Sequence, residues 1–125
     1  MRLSGSETVL AVDDDPTMLE LVEEMLTPLG YRVLSAASGE EALEMATAQQ
    51  EKIDLLLTDV MLPGIKGQDL AKQLQINCPD VNVLFMSGYL CPSMGHSDSG
   101  QKFEAFIQKP FAPNSLLRKM RKLLD

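Results

Sequence analysis

The sequence predicts a single α/β domain built on a parallel sheet with helices on both faces. Three observations predict it. Short apolar runs alternate five times with segments of helical spacing, the pattern of parallel strands joined by crossover helices. The run Ile53–Thr58 is apolar on consecutive positions rather than alternate ones, as a strand buried on both faces requires. A length of 125 residues with 45 % apolar content is enough for one packed core.

Taken in order, Thr8–Val12 is the first strand. Asp15 stands where a helix cap belongs, and Pro16 follows at the first helical position, where a missing N–H costs nothing. Met18, Leu19, Val22, Met25, Leu26 and Leu29 recur at helical spacing, with Gly30 placed to end the helix. Tyr31–Ala36 is the second strand. Ser38 and Glu41 form a capping-box pair opening a helix through about Gln49. Ile53–Thr58 is the third strand and Pro63-Gly64 a turn; Gly67–Ile76 is a helix with Leu70, Ala71 and Leu74 on one face.

Val81–Met86 is the fourth strand. Between Leu90 and Gln101, Pro92, Gly95, Gly100 and four Ser or Asp residues oppose a regular helix, so that stretch is expected to be short or irregular. Ala105–Gln108 is the fifth strand. Pro113 opens a last amphipathic helix with Leu116, Leu117, Met120 and Leu123 inward, although Ala112 offers no side-chain cap. Met1–Ser6 is polar and reads as a linker or expression remnant, leaving residues 7–125 as the domain.

Composition excludes several classes of function. The net charge of −7 makes a poor nucleic-acid binder, because neutralising phosphates needs clustered cations. Arg118, Lys119, Arg121 and Lys122 are concentrated near Asp125, where cations favour the dipole of a helix end. Cys78 and Cys91 lack metal-site spacing and read as reduced thiols of a cytoplasmic domain. His96 reads as a solvated loop residue. No apolar run approaches the roughly 20 residues of a membrane span, so no membrane contact is expected of this segment.

The chemistry lies at the strand ends. The first strand runs into Asp13 and Asp14, the third into Asp59, the fourth into Ser87 and the fifth into Lys109. In an open parallel sheet, ligands sit outside the carboxyl ends of the strands. Three carboxylates, a hydroxyl and an ammonium gathered there suit a divalent cation and a phosphoryl group. Mg²⁺ takes hard oxygen donors, commonly one or two carboxylates plus phosphate oxygens.

The segments VLAVDDDP (9–16), IDLLLTDVMLPGIKG (53–67), VLFMSGY (83–89) and FIQKPF (106–111) together resemble the receiver domain of two-component response regulators. The resemblance spans residues 8–124. It implies a flavodoxin-like, doubly wound (βα)5 fold whose five-stranded parallel sheet runs in order 2-1-3-4-5. It also implies roles. Asp59 would be the phosphoacceptor, taking a phosphoryl group from the phospho-His of a histidine kinase or phosphotransfer domain. Asp14 would be the main Mg²⁺ carboxylate, assisted by Asp13, Asp59 and the backbone carbonyl of Met61, with Mn²⁺ as a substitute. Lys109 would pair with the phosphoryl group and Ser87 would donate its hydroxyl to it. A cis Lys109-Pro110 bond is implied as well. Ser87 and Phe106 would form the conformational switch, which with Phe in place of Tyr rests on packing.

The opening and the LFMSGY segment look like receivers fused to hybrid sensor histidine kinases; a stand-alone regulator is the alternative, as a monomer or weak dimer. Met61 and Tyr89, two residues beyond Asp59 and Ser87, are expected to hinder hydrolytic water and prolong the phosphorylated state. One rival from another class is a haloacid dehalogenase-like phosphohydrolase, suggested by Asp13-x-Asp15. Pro16 and the short chain argue against it, and it would label Asp13 rather than Asp59.

Overall fold

The computed structural model describes residues 3–48, 52–88 and 104–125. Five strands, β1 (Thr8–Val12), β2 (Arg32–Ala36), β3 (Leu55–Asp59), β4 (Asn82–Ser87) and β5 (Glu104–Gln108), form one sheet in the order β2-β1-β3-β4-β5. Every pairing is parallel. The expected sheet and strand order are therefore both present. The order reverses between β1 and β3, which opens a crevice above their carboxyl ends.

Four helices are described: α1 (Pro16–Leu26), α2 (Gly39–Ala48), α3 (Gly67–Asn77) and α4 (Pro113–Leu124). Strand side chains alternate between faces, so the sheet supports two cores. Leu10, Val12, Leu56, Val83 and Phe85 pack with Ala42 of α2 and with Leu70, Ala71 and Leu74 of α3. Val9, Ala11, Leu55, Leu57, Leu84 and Met86 pack with Val22 and Leu26 of α1 and with Leu116, Leu117 and Met120 of α4. Burying a residue of this kind contributes about 1.5–3 kcal/mol, so both layers of helix are firmly held.

Local signals explain most boundaries. Asp15 caps α1, its carboxylate accepting from the Thr17 N–H at 3.0 Å. Ser38 accepts from the Glu41 N–H at 3.1 Å; the Glu41 carboxylate reaches back to the Ala37 N–H at 3.3 Å, completing the box one residue earlier than usual. The α1 pattern expected to continue to Leu29 instead tightens into a 3₁₀ turn over Thr27–Leu29. Pro28 has no N–H to give to the carbonyl of Glu24, so α-helical bonding lapses there. Gly30 then ends the turn at φ 101°, in the left-handed region. Ala112 precedes α4 with no side-chain cap, as its methyl group dictates.

Leu3–Ser6, assigned by sequence to a linker, carry hydrogen bonds to the body: the Gly5 N–H donates to Leu29 O at 3.1 Å and the Tyr31 hydroxyl to Leu3 O at 2.7 Å. The expected irregularity of Leu90–Gln101, with Cys91 and His96, lies outside the described residues. Cys78 is a partly buried free thiol. Among the described residues no helix is long and apolar enough to cross a membrane.

Candidate functional site

Parallel register delivers the site residues to one edge. Val12 faces Thr58 across β1 and β3, so Asp13 and Asp59 follow one residue later on adjacent strands. Ser87 faces Gln108 across β4 and β5, and Lys109 comes next. The Lys109 N–H donates to the Ser87 carbonyl at 2.7 Å and ties these two strand ends together. The Lys109-Pro110 bond is cis.

The lysine side chain crosses back over the sheet edge. Its Nζ lies 2.7 Å from Asp13 Oδ2 and 2.7 Å from Asp59 Oδ2. The remaining carboxylate oxygens are also engaged. Asp13 Oδ1 accepts from the Asp15 N–H at 2.9 Å, and Asp59 Oδ1 accepts from the Met61 N–H at 2.9 Å. Two backbone amides and one ammonium thus fix both carboxylates in orientation.

The site is asymmetrically buried. The Asp13 side chain is 1 % exposed, whereas that of Asp59 is 14 % exposed and Asp14 is open to solvent. Burial pushes the Asp13 carboxyl above its ordinary range, and its contact with Lys109 only partly offsets this. Burial also works against the Lys109 ammonium, but hydrogen bonds to Asp13 and Asp59 outweigh it and hold the lysine above its ordinary value. One cation serving two carboxylates leaves Asp13 short of neutralisation.

That shortage bears on metal binding. Asp13, Asp14 and Asp59 each offer a carboxylate oxygen, all within 4.8 Å of one another. Hard, anionic, all-oxygen donors of graded exposure fit a divalent cation that retains water. Asp15, serving as a helix cap, is not in the cluster.

The sequence matches the response regulator receiver domain family over residues 9–121. The chain belongs to that family. Among relatives of this receiver domain, the sensor kinase CckA of Brucella abortus is 32 % identical over 98 % of the chain. The chain spans only 13 % of that kinase. The crystal structure of the receiver domain from the hybrid histidine kinase CckA superposes with a TM-score of 0.81 at 32 % identity, covering 94 % of this chain and 99 % of that one. The response regulator TrrA of Thermotoga maritima, solved in complex with Mg²⁺-BeF, superposes with a TM-score of 0.77 at 31 % identity over 94 % and 99 % of the two chains. Receiver domains act in two-component signalling, bind Mg²⁺ at an acidic pocket and interact with histidine kinases or phosphotransfer proteins.

Of the residues picked out by sequence, Asp13, Asp14, Asp59 and Lys109 converge. Ser87 ends β4 beside them, partly buried. Met61 lends its N–H to Asp59, and the residue as a whole is 60 % exposed. Tyr89 lies outside the described residues. Phe106 is not at the edge but beneath it, stacked on the buried Phe85 with ring centroids 5.1 Å apart.

Sequence reasoning missed Gly67. A Cβ there would collide with the carbonyl oxygen of Asp59 and lie 3.0 Å from Val60 Cα. The missing side chain lets the start of α3 close against the Asp59 backbone, with the Gly67 N–H donating to Val60 O at 3.1 Å. The PGIKG segment contained that signal, but as a turn rather than as a close approach.

Proposed function

We propose that this receiver domain accepts a phosphoryl group on Asp59 and converts it into a conformational signal. The observation that carries the reading is the position of Lys109 Nζ, 2.7 Å from both Asp13 and Asp59 at the edge where Asp14 also lies. A carboxylate oxygen of Asp59 attacks the phosphorus of a phospho-His; a P–O bond forms, the P–N bond breaks, and the imidazole leaves and takes up a proton. Such transfer needs little beyond positioning and neutralisation of spread negative charge.

The chain divides that work. The Met61 N–H orients Asp59 through Oδ1, while Oδ2 is held by a lysine that can follow the incoming phosphoryl oxygens. Ser87 donates its hydroxyl to the same group. Asp13, Asp14, Asp59 and the Met61 carbonyl would hold Mg²⁺, or Mn²⁺ in its place, and the cation would supply charge neutralisation at the phosphoryl oxygens. The Met61 side chain shields the acyl phosphate from water; a phosphorylated half-life of seconds with Mg²⁺ present would count against that role. Phe106, held by Phe85, gives the switch an apolar element, so the response rests on repacking between two states.

The donor is a histidine kinase or phosphotransfer domain. The similarity to CckA supports an origin in the cytoplasmic part of a hybrid sensor histidine kinase, in which the domain acts as a monomer or weak dimer without binding nucleic acid itself. Acetyl phosphate treatment with Mg²⁺, followed by mass mapping of the labelled residue, tests the central claim. Label on Asp59, lost in Asp59→Asn and retained in Asp13→Asn at a reduced rate, is the expected result. Label on Asp13 would overturn it in favour of the dehalogenase-like reading.

A further inference from the structure

Arg121 is the one charged residue among the described residues of α4 that is buried, at 6 % exposure. Its guanidinium sits at the opposite edge of the sheet from Lys109, where β1 begins. It makes a two-pronged pair with Glu7, Nη1 to Oε1 at 3.0 Å and Nη2 to Oε2 at 2.6 Å. It also donates to Asp125 at 2.7 Å, to the Ser4 carbonyl at 3.2 Å and to the Tyr31 hydroxyl at 3.2 Å. A planar fork of donors is suited to such a hub, where a lysine would satisfy fewer partners.

The segment Leu3–Glu7 is fitted around this hub. The Glu7 carbonyl accepts from the Arg32 N–H at 3.0 Å, and the Gly5 N–H donates to Leu29 O. Leu3 packs on the core shared by α1 and α4. A Cβ on Gly5 would strike Arg121, Glu7 and Tyr31, and one on Gly30 would strike the Gly5 carbonyl. Two glycines on different segments are thus needed for one close approach.

We propose that Arg121 makes Leu3–Glu7 a strap that belongs to the receiver fold, coupling the chain entering β1 to the last turn of α4. Leu3 is thereby held on the core shared by α1 and α4, at the edge away from Asp59. The inference stands on packing and is independent of the phosphorylation reading.

Amide hydrogen exchange of the whole chain tests it, comparing the natural protein with Arg121→Met and Gly5→Ala. Residue 5 and Arg32 are expected to be protected in the natural protein. Both variants should accelerate exchange there by about tenfold or more while Leu10 and Leu56 keep their protection. Unprotected Gly5 in the natural protein, or unchanged exchange at residue 5 in both variants, would overturn the strap. So would acceleration spread evenly through β1 and β3, which would make Arg121 a general stabiliser rather than a local coupling.

Discussion

Single residues at this site were legible in sequence where their role depends on position along one strand. Asp13, Asp14, Asp59, Ser87 and Lys109 each follow an apolar run, and parallel pairing brings such positions together without further information. Roles that depend on what lies across space were not legible. In sequence Arg121 is indistinguishable from its neighbours Arg118, Lys119 and Lys122, which are exposed, and like them it suits the dipole of a helix end. Its burial depends on Glu7, more than a hundred residues away in sequence, and no local pattern encodes that. Gly67 is a second instance, since its constraint comes from the Asp59 carbonyl. Gly67→Ala must push either the start of α3 or the Asp59 backbone aside. It is expected to cost about 1–3 kcal/mol in urea unfolding, typical of overpacking, and to slow labelling of Asp59 by acetyl phosphate. Retained stability with unchanged labelling would show that the loop yields freely.

Elements were legible wherever a cap or breaker marks them. Pro16, Ser38 and Pro113 each stand at a helix start, and both cores follow the predicted apolar spacing. Departures have local causes: Pro28 converts the end of the α1 pattern to 3₁₀ bonding, and strand limits shift by one or two residues where pairing, not hydropathy, sets them. The two helix starts α2 and α4 make a matched test of capping. Ser38 satisfies the Glu41 N–H, whereas Ala112 leaves the first turn of α4 without a side-chain acceptor. Ser38→Ala should therefore destabilise the domain by about 1 kcal/mol, and Ala112→Ser should stabilise it by about 0.5–1 kcal/mol. Chemical denaturation of the two variants is expected to move the midpoint in opposite directions.

At the scale of the whole molecule, β1 carries a charge cluster at each end, and the two respond to pH with opposite sign. Hydrogen bonds from Arg121 hold Glu7 below the ordinary carboxylate range despite partial burial. Glu7 therefore contributes stability above its unfolded-state value, and this is lost as pH falls through its folded value. Asp13 behaves in reverse, because burial raises its folded value. Its contribution is fully present below the unfolded value and is lost as pH rises through the folded one. Without a divalent cation, Asp13→Asn should thus unfold at a higher temperature than the natural protein, with a difference that widens from mildly acidic to neutral pH. Mg²⁺ should close the gap from the other side. A ligand bound only by the folded state stabilises it by about 2.7 kcal/mol at one hundred times its dissociation constant, and the variant, lacking one of three clustered carboxylates, should gain less. Thermal unfolding across pH, with and without Mg²⁺, measures both effects. A variant no more stable than the natural protein in chelator at neutral pH would mean that Lys109 already compensates Asp13 in full.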